Sequence, residues 1–89
     1  MKRRANIVIY MEILALLLDG PKGPSRLSQA LGLNFNKFLE FSAYLESKRV
    51  IRKEVQEGHD LYFVTPEGVA VYRGWDAFYK KFGPDTDLR

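Results

Sequence analysis

A chain of 89 residues, 46% hydrophobic and 28% charged, fits one domain with a modest core and is neither disordered nor membranous in bulk. Its longest apolar run, Ile7 to Leu18, is broken only by Glu12 and falls short of the roughly 18 residues a membrane span needs. Zero cysteines exclude disulfides and thiolate metal sites.

Net charge is +3 with a pI of about 9.3, and its distribution says more than its sum. Residues 22 to 49 hold most of the excess: Lys22, Arg26, Lys37, Lys48 and Arg49 stand against Glu40 and Glu46. Residues 50 to 60 are slightly acidic and the remainder is close to balanced. Positive charge concentrated on one segment suits a phosphate backbone. Lys2, Arg3 and Arg4 open the chain, yet only Asp19-Gly20-Pro21-Lys22 follows the apolar run. No small-residue cleavage site is present, so a secretory signal is not expected and the chain reads as cytoplasmic.

The first helix is expected from Ala5 to Asp19, ending at Gly20-Pro21. Eleven of the twelve residues from Ile7 to Leu18 are apolar if Tyr10 is counted, and a helix apolar all round must be covered all round. Ile9, Ile13, Leu14 and Leu17 supply a core face. Val8, Ala15 and Leu18 then need another partner: either they form the greasy edge of a buried helix, or they belong to an oligomer interface.

Ser25 reads as the N-cap of a short second helix. Leu27 and Leu31 bury, Ala30 permits close approach to the next helix, and Gly32 supplies a left-handed turn. Asn34 caps a third helix, Phe35 to Lys48, in which Phe38, Phe41, Ser42 and Leu45 follow core spacing. Two strands, Val50 to Val55 and Leu61 to Thr65, flank the polar tip Gln56-Glu57-Gly58-His59-Asp60. Tyr62 and Val64 should face inward and Phe63 outward.

Thr65-Pro66-Glu67 opens the last helix, expected from Pro66 to Phe82, about 25 Å long. Val71, Tyr72, Trp75, Phe78, Tyr79 and Phe82 form an apolar stripe along it. Its first two turns can pack on the domain, while the rings from Trp75 onward should project beyond the core. An exposed stripe of this kind marks a protein interface, so a homodimer is expected. The alternative is that the stripe folds back over the first helix and hides both apolar surfaces. Residues 83 to 89 should form a frayed tail after Gly83-Pro84.

Helix, turn, helix and then a hairpin is the order of a winged helix-turn-helix, a form that places one helix in a DNA groove. The fold expected is therefore α+β and mainly helical, with three helices, a two-stranded wing and an extra C-terminal helix. Its parts are a basic arm (1–4), the winged domain (5–65), a dimerisation helix (66–82) and a flexible tail (83–89).

The third helix is the candidate recognition helix, with Asn36, Lys37, Glu40 and Ala43 opposite its core stripe. Asn pairs with adenine edges, Lys with guanine or phosphate, and Glu with cytosine. Asn34 has a capping job first and a DNA role second. Ser25 and Arg26 lie where a helix N-terminus attracts phosphate, with Lys22 beside them. Lys2, Arg3 and Arg4 make a basic arm for the backbone or minor groove. On the wing, Arg52 and Lys53 are offset by Glu54, Glu57 and Asp60, and His59 at the tip can donate to phosphate.

Ile7 to Leu14, Leu31-Gly32-Leu33-Asn34-Phe35-Asn36-Lys37, Tyr44-Leu45-Glu46-Ser47-Lys48-Arg49-Val50-Ile51 and Tyr62-Phe63-Val64-Thr65-Pro66-Glu67-Gly68 together resemble the small archaeal winged-helix DNA-binding proteins. The resemblance spans nearly the whole chain and rests on the order and spacing of motifs that are each weak. It implies binding of double-stranded DNA, in transcriptional regulation or chromatin organisation, by a homodimer paired through an antiparallel coiled coil of C-terminal helices. Two features depart from that pattern. Arg49 stands where Gly is usual, and the last helix is shorter and more aromatic, with Gly74 inside it.

Catalysis is not expected: there is one histidine, no phosphate loop, and no carboxylate or ligand spacing for a metal or cofactor. Nor does the sequence indicate a small-molecule ligand or a membrane partner. The competing reading is a winged helix used for protein contacts without DNA, because fold alone does not decide function.

Overall fold

The computed structural model describes residues 5–83, with helices α1 (Asn6–Leu18), α2 (Pro24–Leu31), α3 (Phe35–Ser47) and α4 (Pro66–Phe82). Strands β1 (Ile51–Gln56) and β2 (His59–Val64) lie between α3 and α4 as an antiparallel pair. The basic arm and residues 84–89, on which the tail expectation mostly falls, lie outside the described residues. No helix among the described residues is long and apolar enough to cross a membrane.

One core joins the elements. Ile9, Ile13, Leu14 and Leu17 of α1 meet Leu27 and Leu31 of α2, Phe38, Phe41 and Leu45 of α3, and Ile51 and Tyr62 of the sheet. Met11, which the α1 pattern did not single out, is buried as well. Phe38 and Tyr62 pack edge to face at 5.6 Å, a favoured geometry for two rings. The buried Tyr62 hydroxyl lies 3.4 Å from Ser42 Oγ, and Ser42 Oγ donates to the Leu39 carbonyl at 3.1 Å. The polar atoms enclosed with the core are thereby satisfied.

Four local expectations are corrected. The hairpin has no five-residue tip: Gln56 pairs with His59 and Val55 with Asp60, leaving Glu57-Gly58 as the turn, both at positive φ (53° and 79°). Two positive-φ residues are the mark of a type I′ turn, whose twist matches that of the strands. Ser25 is not the α2 N-cap. Gly23 holds that position and Pro24 takes the first turn, where its fixed φ fits and its missing N–H costs nothing. Ala30 is exposed and so is not enclosed between α2 and α3. Finally, α1 and α3 each end one residue inside the expected bounds, because Ala5, Asp19 and Lys48 are caps.

The sequence also hid an isolated β-bridge. Lys22 and Tyr62 exchange backbone hydrogen bonds of 3.2 and 2.9 Å, bridging the segment between α1 and α2 to the free edge of β2. Polar edges left unpaired invite aggregation, and the bridge pairs this one at Tyr62.

At the start of α4, Thr65 Oγ1 accepts from Gly68 N at 3.0 Å and donates to the Arg49 carbonyl at 2.7 Å. Thr65 N donates to the Val50 carbonyl at 3.1 Å. One side chain therefore caps α4 and clamps it to the corner where α3 passes into β1. Gly68 is buried in this joint, where a Cβ would run into the Val50 carbonyl oxygen and Val64 Cγ2. Arg49 makes the corner itself at φ 62°, a conformation that Gly adopts more readily.

Candidate nucleic-acid interface

α2 and α3 meet through the left-handed Gly32 (φ 69°), and α3 begins at Asn34, whose side chain accepts from Lys37 N at 2.8 Å. Asn34 therefore does the structural job its position implied. With Phe38, Phe41, Ser42 and Leu45 buried, the opposite side of α3 presents Asn36, Glu40, Ala43 and Ser47 to solvent. Asn34, Phe35, Asn36, Lys37 and Glu40 line one shallow depression at its N-terminal end.

The charge on this face is nearly balanced. Lys37 Nζ lies 3.8 Å from Glu40 Oε1 and 5.8 Å from the centre of the Phe41 ring. Asn36 has no hydrogen-bond partner among the described residues, so its amide is available. Sequence reasoning passed over the apolar members of the same surface: Phe35 and Leu39 are exposed on α3. Their four-residue spacing was legible, but Phe35 read only as the start of the helix.

A second group forms between α2 and the wing. Ser25 and Arg26 share a groove with Gly58, His59 and Asp60, bringing the α2 N-terminus and the hairpin turn to one surface. Both Arg26 and His59 are exposed. Lys22 does not join them: its ammonium donates to the carbonyls of Leu16 (2.7 Å) and Gly20 (3.3 Å). There it satisfies the Leu16 carbonyl in the last turn of α1 and the Gly20 carbonyl just beyond it, a role open to lysine at a helix end. On the wing, Arg52 pairs with Glu54 and lies 4.3 Å over Phe63, so its charge is offset. Lys53 is exposed on the opposite face of β1.

α1 and α3 are joined by rings whose pairing the sequence did not indicate. Tyr10 stacks on Tyr44 at 4.9 Å and meets the edge of Phe41 at 5.6 Å. Desolvation, and then the neighbouring Tyr44 phenol, hold the Tyr10 hydroxyl above its usual pKa of 10.0.

The far side of the molecule is apolar. Tyr72 and Trp75 of α4 pack against the core and line a groove of about 190 Å³ with Tyr79 and with Val8, Met11, Glu12 and Ala15 of α1. The expectation that α4 projects from Trp75 onward is thus corrected in part, since its middle folds onto α1 and Val8 and Ala15 are half-buried there. Leu18, Val71, Phe78, Tyr79 and Phe82 stay exposed. Trp75 lies 5.6 Å from Tyr79 and 6.5 Å from Phe78, which lies 5.3 Å from Phe82, making a continuous ladder of rings.

A family model described as winged helix-turn-helix matches residues 3–81 of the chain. Among solved structures, the reduced form of the transcriptional regulator YodB from B. subtilis is similar at TM-score 0.70 and 21% identity, over 88% of this chain and 83% of that one. The transcriptional regulator BldR from Sulfolobus solfataricus is similar at TM-score 0.73 and 14% identity, over 85% of this chain and 60% of that one. The homodimeric winged helix-turn-helix DNA-binding domain of Mb0332 from Mycobacterium bovis, a possible ArsR-family regulator, is similar at TM-score 0.74 and 17% identity, over 91% and 76%. At these identities the likeness is one of fold. No curated protein matches the chain.

Proposed function

The chain belongs to the winged helix-turn-helix family, and from that membership we propose that it is a DNA-binding transcriptional regulator acting as a homodimer. The observation that carries this reading is the arrangement of α2 and α3. One face of α3 exposes Asn36, Lys37 and Glu40, and Arg26 with the α2 N-terminus stands beside the wing. In this reading α3 enters the major groove, Arg26, Ser25 and the basic arm hold phosphates, and Lys53 and His59 follow the backbone from the wing. Lys22 and Arg52 contribute little, because both are engaged within the protein.

The dimer forms through the exposed rings of α4, paired antiparallel with the partner's α4, with the Leu18 edge of α1 alongside. Two modules in one particle gain affinity that the sparse face of one lacks. Thr65 clamps α4 to the α3 corner, so a dimer paired through α4 holds its two recognition helices at a fixed spacing. The localisation that follows is the nucleoid.

Fluorescence anisotropy on a random-sequence duplex at two salt concentrations tests the reading. Log affinity should fall steeply with log salt as several counterions are released. Absence of binding to any duplex at low salt would sink it. The exposed Phe35 and Leu39 on α3 favour a second reading, in which the same face docks a protein; that reading predicts no salt-steep duplex binding.

A further inference from the structure

The exposed face of α3 is neither uniformly polar nor uniformly apolar. Leu39 and Ala43 lie three and seven residues beyond Asn36, so the three share one side of the helix, and all three are exposed. Phe35 precedes Leu39 by one turn and is exposed as well. An amide with no hydrogen-bond partner among the described residues thus stands beside apolar side chains as well as Glu40.

The major groove offers one match to that combination. An A·T pair presents the adenine N7 acceptor and N6 amino donor beside the thymine C5-methyl group, whereas G·C pairs present polar groups only. The natural guanine reader on this helix is Lys37, and Glu40 stands 3.8 Å from its ammonium. Phosphates reward neither Leu39 nor Phe35. A protein partner would reward the apolar side chains but leave the Asn36 amide and Glu40 carboxylate to be desolvated.

Resting on the proposed DNA-binding function, we infer that α3 reads A·T base pairs, with the Asn36 amide on adenine and Leu39, flanked by Phe35 and Ala43, on the thymine methyl. The chain is therefore a sequence-selective reader of A·T base pairs, and not an indifferent backbone binder.

Enrichment of duplexes from a random library by the wild-type protein, followed by replacement of each enriched thymine with deoxyuridine, tests this directly. The replacement removes the methyl group alone. Affinity should fall about fourfold at the contacted thymine, the value of one buried methylene-sized group. Leu39→Ala should erase that difference, and Asn36→Ala should weaken binding about tenfold on A·T sites. Both residues are exposed, so unchanged melting temperatures report an intact fold. Salt-steep binding with no A·T enrichment, or with thymine and uracil sites held equally, overturns the inference and leaves the DNA-binding reading standing. No duplex binding at low salt overturns both.

Discussion

α3 and α4 leave large apolar side chains in solvent to nearly the same degree. Phe35 is 46% exposed, Leu39 39% and Tyr44 44%, against 42% for Val71 and 47% each for Phe78, Tyr79 and Phe82. Exposure alone does not separate the two helices; the company of each side chain does. On α3, Asn36, Glu40 and Ser47 interleave with the apolar residues, and four residues of the opposite side are buried. On α4 the exposed rings touch one another in a ladder, and only Gly68 is fully buried. A mixed face on a firmly seated helix suits a surface of alternating polar and methyl groups. A continuous apolar stripe on a lightly seated helix suits a second copy of itself.

The seat of α4 is where the comparison breaks most readily. Gly68→Ala forces a methyl group into the Val50 carbonyl and should destabilise the fold by about 3 kcal/mol, read as a lowered melting temperature. Phe78→Asp with Phe82→Asp should leave the fold intact, because both rings are exposed. It should convert a dimer of twice 10.3 kDa into monomer in sedimentation at micromolar concentration. A wild-type chain already sedimenting as monomer would remove the dimer half of the comparison. Arg26→Ala acts on the other surface: duplex affinity should drop several-fold and the salt slope by about 1, with sedimentation unchanged. The smallest effect belongs to the corner between the two helices. Arg49→Gly relieves a positive φ and should stabilise the protein by about 1 kcal/mol in denaturant titration.

Much of this architecture was legible in the residues. The spacing of Phe38, Phe41, Ser42 and Leu45 located the buried side of α3, and Thr65-Pro66 fixed the start of α4. Periodicity and capping report local choices, and these were local. What escaped depends on partners distant in sequence. The fold of Trp75 onto α1 stood only as the alternative to a projecting stripe, and the bridge between Lys22 and Tyr62 leaves no periodic trace. Gly68 left a faint one, since a glycine in the first turn of a helix is a poor helix former kept for a reason. Ser25 misled because Ser is a favoured N-cap, and the neighbouring Pro24 claimed the first turn ahead of it. Of the surface proposed to touch DNA, the polar members were visible in the sequence. Phe35 and Leu39 were passed over: their spacing set them off the core stripe, but Phe35 read only as the start of the helix.

The paired-module account is tested most directly by titrating one duplex at low salt with wild-type protein and with the Phe78→Asp/Phe82→Asp chain. The account predicts two chains bound per duplex for wild type, and an affinity about 100-fold lower for the variant. Equal affinity for a variant shown to be monomeric would contradict it.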